Sequence, residues 1–307
     1  MPNHQTISPK DYFAIFLIVV IWGTNFVAMK FALEELTPFQ LGAWRFVFSL
    51  IPFIFIFKPP KIAWQWLLLN GLLQGVGQFG FLFVALHIGL SAALASMLLQ
   101  TQVFFTALFS YFILTEKPSK SFLVGLGFAA IGLACFGLNY VFPNSVKDLQ
   151  VPLLGIVLCL CGAVMWGASN IAIRKIHQKY HRFDAINFIV WSSFVPIVTF
   201  IFLNWIFFPE KNVSSWFAHN PSTWLSIIYL AVFSYLVAYA LWTRLIQTYS
   251  ANRISPFSLG VPMVGLLSGM IILSETISPW QWAGIFFCFI ALVITMVGRD
   301  AMAFLKK

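Results

Sequence analysis

The sequence predicts an all-α integral membrane protein, with about ten transmembrane helices arranged as two inverted five-helix repeats. Three observations lead there. The chain of 307 residues is 60% hydrophobic and only 9% charged, against about 25% charged in soluble domains, so it has too little charge to cover a water-facing surface. It falls into apolar stretches that each approach the ~20 residues a bilayer-crossing helix needs. And it writes nearly the same phrase twice, "IWGTNFVAMK" at 21–30 and "MWGASNIAIRK" at 165–175.

Taken in order, the first ten residues are polar, and the apolar run that follows from Tyr12 to Met29 lacks a small-residue cleavage signature. It reads as a retained first helix, 12–33, not a cleaved signal. Further stretches run 38–57, 66–87, 91–114 and 121–138, then 152–174, 186–208, 222–246, 254–273 and 280–298. Pro and polar or charged residues mark the breaks, as in "KPPK" at 58–61, "EKPSK" at 116–120, "PNSVKD" at 143–148, "FPEKN" at 208–212 and "SETISP" at 274–279. A β-barrel is excluded, because its spans would alternate in polarity and be about half as long.

The formal net charge is +9. The basic residues sit in short loops beside apolar stretches, with no basic run interleaved with stacking aromatics, so they point to bilayer orientation and not to nucleic acid. With both termini cytoplasmic, only Lys30, Arg45, Lys147 and Lys211 of the 18 Lys and Arg fall on the outer half. That asymmetry sets the expected orientation. The four cysteines, Cys135, Cys159, Cys161 and Cys288, all lie in apolar stretches and read as small packing residues.

The doubled phrase extends into a repeat. An offset of 144 pairs Trp22-Gly23 with Trp166-Gly167, Ala28 with Ala172, Lys30 with Arg174, Ser49 with Ser193 and Pro52 with Pro196. An offset of 159 pairs Ser96 with Ser255, Glu116 with Glu275, Ser119 with Ser278 and Gly125 with Gly284. The connection around 209–221 can hold most of the difference. The units expected are 12–138 and 152–298. Five helices is an odd number, so the second unit inserts upside down. Two such halves can rock about a shared central site, as in many secondary transporters. A plain duplicated helical bundle is the other reading.

Candidate site residues follow from polar groups inside apolar stretches. The nine acids are Asp11, Glu34, Glu35, Glu116, Asp148, Asp184, Glu210, Glu275 and Asp300, and none falls at mid-membrane; the five histidines fall at loops or helix ends. Without a buried carboxylate to titrate, the expected cycle is uniport-like or is coupled without a mid-membrane acid. Arg45 is the one cation well inside a stretch, where insertion costs about 3 kcal/mol. It reads either as an anchor for a substrate carboxylate or as a side chain snorkelling outward near Glu34 or Glu35. Gln78 and Gln102 lie near the middle of the third and fourth helices and can pair with carboxylate, amine or hydroxyl groups; interhelical glue is the alternative. Gln74 is one turn before Gln78 on the same face. Tyr235, Tyr239 and Trp242 share a face of the eighth helix, either lining a cavity or packing. Asn25 and Asn170 each lie about a turn from Trp22 and Trp166. Gly71-x-x-x-Gly75 and Gly265-x-x-x-Gly269 suit close helix approach, and Pro256 and Pro262 can kink the ninth helix.

Nothing matches a nucleotide-binding loop, a nucleophile elbow or a metalloprotease motif. No catalytic residue, metal or cofactor is expected. Polar groups on inward faces favour transport over a membrane scaffold or a lipid-modifying enzyme.

The phrases "WGTNF", "LGAWRF", "GQFGFLFVAL", "GLSAALASMLLQTQVFFTALFSYFILTE" and "PFSLGVPMVGLLSGMIILSE" resemble the EamA branch of the drug/metabolite transporter superfamily, along essentially the whole chain. The resemblance implies ten helices, two repeats, an inner-membrane location and efflux of small polar metabolites of the cysteine or O-acetylserine kind. Drug, nucleoside or other-metabolite transport by the same fold is the alternative. Expected partners are a small-molecule substrate and the lipid bilayer, with the chain a monomer or homodimer. The expected substrate-binding residues are Trp22, Asn25, Arg45, Gln78, Gln102, Trp166, Asn170, Tyr235 and Tyr239, around a central cavity of helices 1, 3, 4, 6, 8 and 9. Trp44 departs from the smaller residue that relatives often carry there, which bears on the local shape of the second helix.

Overall fold

The computed structural model describes residues 7–116, 118–141, 153–180, 183–210, 213–217, 219–273 and 278–304. Among these there is helix and no strand. The helical elements are α1 (Pro9–Leu33), α2 (Pro38–Ile54), α3 (Trp64–His87), α4 (Ala92–Leu114), α5 (Lys120–Val141), α6 (Leu153–Tyr180), α7 (Ala185–Phe207), α8 (Pro221–Tyr249), α9 (Ala251–Ile272) and α10 (Pro279–Phe304). Seven of them, α1, α3, α4, α6, α7, α8 and α9, are long and apolar enough to cross a membrane. The other three have shorter apolar stretches, Pro38–Ile54, Lys120–Cys135 and Pro279–Thr295. Loop residues Lys147, Asp148, His181 and Glu275 lie outside the described residues, as do His4, Lys306 and Lys307.

Local chemistry sets the helix starts. The Ser8 hydroxyl accepts from the Asp11 N–H and Pro9 opens α1. Thr37 and Gln40 close a reciprocal capping box on α2, and the Asp184 carboxylate accepts the Ile186 and Asn187 N–H groups at the head of α7. Each such cap satisfies donors that have no intrahelical partner. Ser119 and Ser278, paired by the 159 offset, do the same job: each hydroxyl accepts from the backbone N–H three residues on, Phe122 and Gln281.

Several helices are not regular inside. α3 carries a π-helical segment at Gly71–Gln78 and α8 one at Tyr229–Val237. α4 is broken between Leu99 and Gln102, and α9 passes through a 3₁₀ segment, Ser255–Leu259, that contains Pro256. Pro256 has no N–H to donate, which accounts for the expected break in α9. Gln74, expected on one face with Gln78, pairs with Asn70 while Gln78 pairs with Tyr239, so the two glutamines take different partners.

The packing pairs are invariant under exchange of helix n with helix n + 5. α1 packs on α9 and α8, and α6 packs on α4 and α3; α2 lies against α7, and α5 against α10. The repeated Trp-Gly dipeptide explains the first two contacts. A Cβ on Gly23 would come within 2.5 Å of Val264 and 3.0 Å of the Gly265 nitrogen, and one on Gly167 within 2.9 Å of Phe105 and 3.1 Å of the Thr106 nitrogen. Phe105 and Val264, like Thr106 and Gly265, are 159 residues apart. Gly71 and Gly75 allow α3 to press on Val195 and Pro196 of α7 in the same way.

Polarity is inverted relative to a soluble protein. Gln40, Arg45, Asn70, Gln74, Gln102 and Asn170 are fully buried, while Phe55, Phe112, Leu153, Trp205, Ile271 and Phe286 are exposed. In lipid an apolar exterior is the stable one, and interior polar groups must find partners within the protein. All four cysteines are free, and Cys135, Cys159 and Cys288 are buried among packed helices, as packing residues would be.

Candidate functional site

The two repeated phrases meet. Trp22 of α1 and Trp166 of α6 lie in edge contact, with ring centroids 5.2 Å apart. Tyr239 and Trp242 of α8 close the cluster at 4.7 and 5.0 Å from Trp22. Four large rings thus form one aromatic plug, supplied by both halves of the chain.

A polar group flanks the plug toward the C-terminal end of α1. Ser234, in the π segment of α8, is its hub. Its carbonyl accepts from Trp22 Nε1 at 3.0 Å, and its hydroxyl accepts from Asn25 Nδ2 at 3.1 Å and from Arg45 Nη2 at 3.3 Å. The Arg45 guanidinium lies 3.8 Å from the Phe79 ring centroid and 5.7 Å from that of Tyr235, a cation–π arrangement that offsets part of the cost of burial. Among the described residues no ion pair forms at Arg45. The Ser49 hydroxyl donates to the carbonyls of Arg45 and Ala231 and pins α2 to α8.

The second polar group lies toward the C-terminal end of α6. Asn170 Nδ2 donates to Gln102 Oε1 at 3.0 Å and Thr106 Oγ1 at 3.2 Å, while its Oδ1 accepts from Trp242 Nε1 at 2.9 Å. Gln102 Nε2 donates to Ser258 Oγ at 2.8 Å. Every hydrogen-bonding atom of the Asn170 amide oxygen and nitrogen is therefore engaged across α4, α6 and α8. Gln78 Nε2 donates to the Tyr239 hydroxyl at 2.6 Å and ties α3 to the plug.

All nine residues expected from the sequence are buried, none more than 6% exposed. Where a central cavity is expected, the rings of Trp22, Trp166, Tyr239 and Trp242 lie in mutual contact. The snorkelling reading of Arg45 is also overturned. Arg45 is fully buried, and Glu35 engages His219, Thr223 and Asn220 instead.

Both ends of the bundle are tied. On the side of the chain's first residues, Arg244 meets Asp11 at 3.0 Å, Tyr249 donates to Asp11, and Arg174 joins Glu116 at 3.2 Å while donating to the Gln247 carbonyl. On the other side the α7–α8 connection lies over α2. Trp44 Nε1 donates to the Trp216 carbonyl and its ring packs on Phe217 and Trp224, so the large residue at this position is what seats the connection. There the backbone N–H of Asn220, helped by the Thr223 hydroxyl, the Asn220 amide and His219, holds the Glu35 carboxyl below its ordinary range.

Sequence reasoning missed Ser234, Ser258 and Thr106 and left Trp242 out of the site. Thr106 lies one turn beyond Gln102, a spacing that was readable. Ser234 and Ser258 were not readable: each sits in an irregular segment, π or 3₁₀, where helical spacing no longer tells which way a side chain faces. Among the described residues, no group of three His, Cys, Asp or Glu side chains converges to hold a metal. The arrangement offers neutral amide, hydroxyl and indole groups, one buried cation and aromatic walls, which suits reversible binding of a small polar solute.

Comparison with known proteins agrees with this character. The EamA-like transporter family matches residues 10–138 and again 153–297. A "probable amino-acid metabolite efflux pump" of Salmonella typhimurium is 35% identical over 292 residues, covering 95% of this chain and 96% of that protein. A protein of the same description from Escherichia coli K12 shows the same identity and coverage. A solved crystal structure at 16% identity aligns with a TM-score of 0.70 over 96% of this chain and all of the other, a likeness of fold.

Proposed function

The chain belongs to the EamA-like transporter family, and from that premise we propose that it exports small polar amino-acid metabolites, of the cysteine and O-acetylserine kind, by alternating access. It is a multi-pass membrane transporter with a small-molecule substrate. In this reading all ten helices cross the inner membrane, both termini are cytoplasmic, and the halves 12–138 and 152–298 are inverted relative to one another. The exchange-symmetric packing of the helices and the paired π segments of α3 and α8 support that arrangement.

The observation that carries the reading is the meeting of Trp22 with Trp166, flanked on one side by Asn25 and Arg45 and on the other by Asn170 and Gln102. The plug belongs to both halves, so rocking of one half against the other opens one polar group and shields the other. Substrate contacts fall to Trp22, Asn25, Arg45, Gln78, Gln102, Trp166, Asn170, Tyr235 and Tyr239. The relatives described as amino-acid metabolite efflux pumps support the substrate class. The reading is transport and not catalysis, with no cofactor.

The test is uptake of labelled cysteine, O-acetylserine and unrelated amino acids into inside-out vesicles. Accumulation of the first two above protein-free controls is expected. Movement of a drug or nucleoside alone refutes the substrate class, and movement of no solute by folded protein refutes transport.

A further inference from the structure

We propose that Arg45, Asn25 and Ser234 form the subsite for the two charged ends of a zwitterionic α-amino acid, with the carboxylate on Arg45 and the ammonium on the Asn25 carbonyl oxygen. The inference rests on the transport reading above and names what that site grips.

The case starts from hydrogen bonds left unmade. Arg45 is 0% exposed. One of its nitrogens, Nη2, donates to Ser234 Oγ, while Nε and Nη1 have no hydrogen-bond partner. Asn25 uses its Nδ2 on the same Ser234 oxygen, and its Oδ1 has no partner either. A guanidinium carries donors only, and an amide oxygen accepts only. One oxygen, Ser234 Oγ, therefore holds a donor-rich cation and an acceptor side by side, each with bonding capacity unused. Buried groups in that condition are costly unless something completes them.

The ligand that completes both is a carboxylate and an ammonium separated by one carbon. The carboxylate neutralises the single positive charge with charge-assisted hydrogen bonds. The ammonium, three donors and no acceptor, needs an acceptor close by, which Asn25 Oδ1 supplies. A phosphate dianion fits worse: one cation leaves part of its charge uncompensated, and Asn25 Oδ1 would face its oxygens. A simple amine fits worse still, because it meets a cation. Phe79 and Tyr235, which flank the guanidinium, keep water away and hold it in place. The repeat partner of Arg45 is Ile189, so the second half carries no copy of the cation, and the substrate binds with one end up.

The experiment is labelled L-cysteine transport in proteoliposomes, with cysteamine (no carboxylate) and 3-mercaptopropionate (no ammonium) as competitors. Unlabelled L-cysteine should compete about tenfold or more better than cysteamine, with 3-mercaptopropionate between them, as loss of contacts to charged groups implies. In parallel, Asn25→Asp keeps the size of the side chain but places a carboxylate beside Arg45. It should lower L-cysteine transport about tenfold or more and weaken the preference for L-cysteine over cysteamine. Because the competitors are ranked on unaltered protein, misfolding of a variant cannot mask the answer. Cysteamine competing as well as L-cysteine overturns the subsite alone. Wild-type protein that moves no amino acid overturns the substrate class proposed above and the subsite together.

Discussion

Replacing Gly23 with Ala should force α1 and α9 apart and destabilise the protein. The added Cβ would lie 2.5 Å from both Cβ and Cγ1 of Val264 and 3.0 Å from the Gly265 nitrogen. Carbon atoms pack at about 3.5–4.0 Å, so about 1 Å of separation has to be found, and neither Val264 Cβ nor the backbone nitrogen can rotate out of the way. Overpacking of this kind costs about 1–3 kcal/mol, against a gain of about 1 kcal/mol from the better helix propensity of Ala. Gly167→Ala meets Phe105 Cβ at 2.9 Å and the Thr106 nitrogen at 3.1 Å, a milder clash with the same propensity gain. Gly127 has nothing within 4 Å of its added Cβ, so Gly127→Ala carries the gain alone. Thermal unfolding of the purified protein in detergent should therefore rank Gly127→Ala at or above wild type, then Gly167→Ala, then Gly23→Ala. Initial transport rates should fall for Gly23→Ala, because α1 carries Trp22 and Asn25. A Gly23→Ala protein that melts at or above the wild-type temperature refutes the close-packing argument.

Asn170→Leu removes the hydrogen bonds to Gln102 and Thr106, worth about 0.6 kcal/mol each in membranes, and leaves Trp242 Nε1 buried without an acceptor, at about 1–3 kcal/mol; unfolding should show about 2–4 kcal/mol lost together with transport, and a variant that matches wild type in both shows Asn170 to be idle. Ser250 holds φ at +106° in the α8–α9 turn, where Gly89 holds +104° in the α3–α4 turn, so Ser250→Gly should raise stability by about 1 kcal/mol, the low end of such strain; a fall in melting temperature contradicts this. Because the Glu35 carboxyl is held below its ordinary range, its contribution to seating the α7–α8 connection is complete above the unfolded-state value and is lost as pH falls through the lower folded-state one. Limited proteolysis near 213–220 should accelerate only in that acidic window, and Glu35→Gln should abolish the pH dependence. Arg174→Gln should cost more stability than Glu116→Gln, since Arg174 also donates to the Gln247 carbonyl; a double-mutant cycle should place the ion pair itself at about 0.2–1 kcal/mol, the range for partly exposed pairs.

Helix position was legible because it depends on composition along the chain. Apolar runs of membrane-spanning length and the Pro, Ser and Asp residues that cap them show in one dimension, and α1 to α10 begin and end within two turns of the stretches read from the sequence. The site was legible in part for the same reason: Asn25, Arg45, Gln78, Gln102 and Asn170 stand out because a polar side chain inside an apolar run needs a partner. Their pairing was not legible. Gln78 reaches Tyr239 and Gln102 reaches Ser258 across 161 and 156 residues, and no local rule relates such distant positions.

By itself, then, the sequence determined the solvent the chain prefers, the helices it forms and the places where it repeats, all of which follow from the transfer energies and spacing of neighbouring residues. The tertiary structure decided which polar groups complete one another and which do not. Ser234, within the π segment of α8, meets Asn25 of α1 and Arg45 of α2, and Tyr239 meets Gln78 of α3. Trp22 and Trp166 meet, and the unmade bonds of Arg45 and Asn25 come together at one hydroxyl. Those are properties of relative helix position, set by close contacts such as Gly23 on Val264 and Gly167 on Phe105, and packing of that kind exists only in three dimensions.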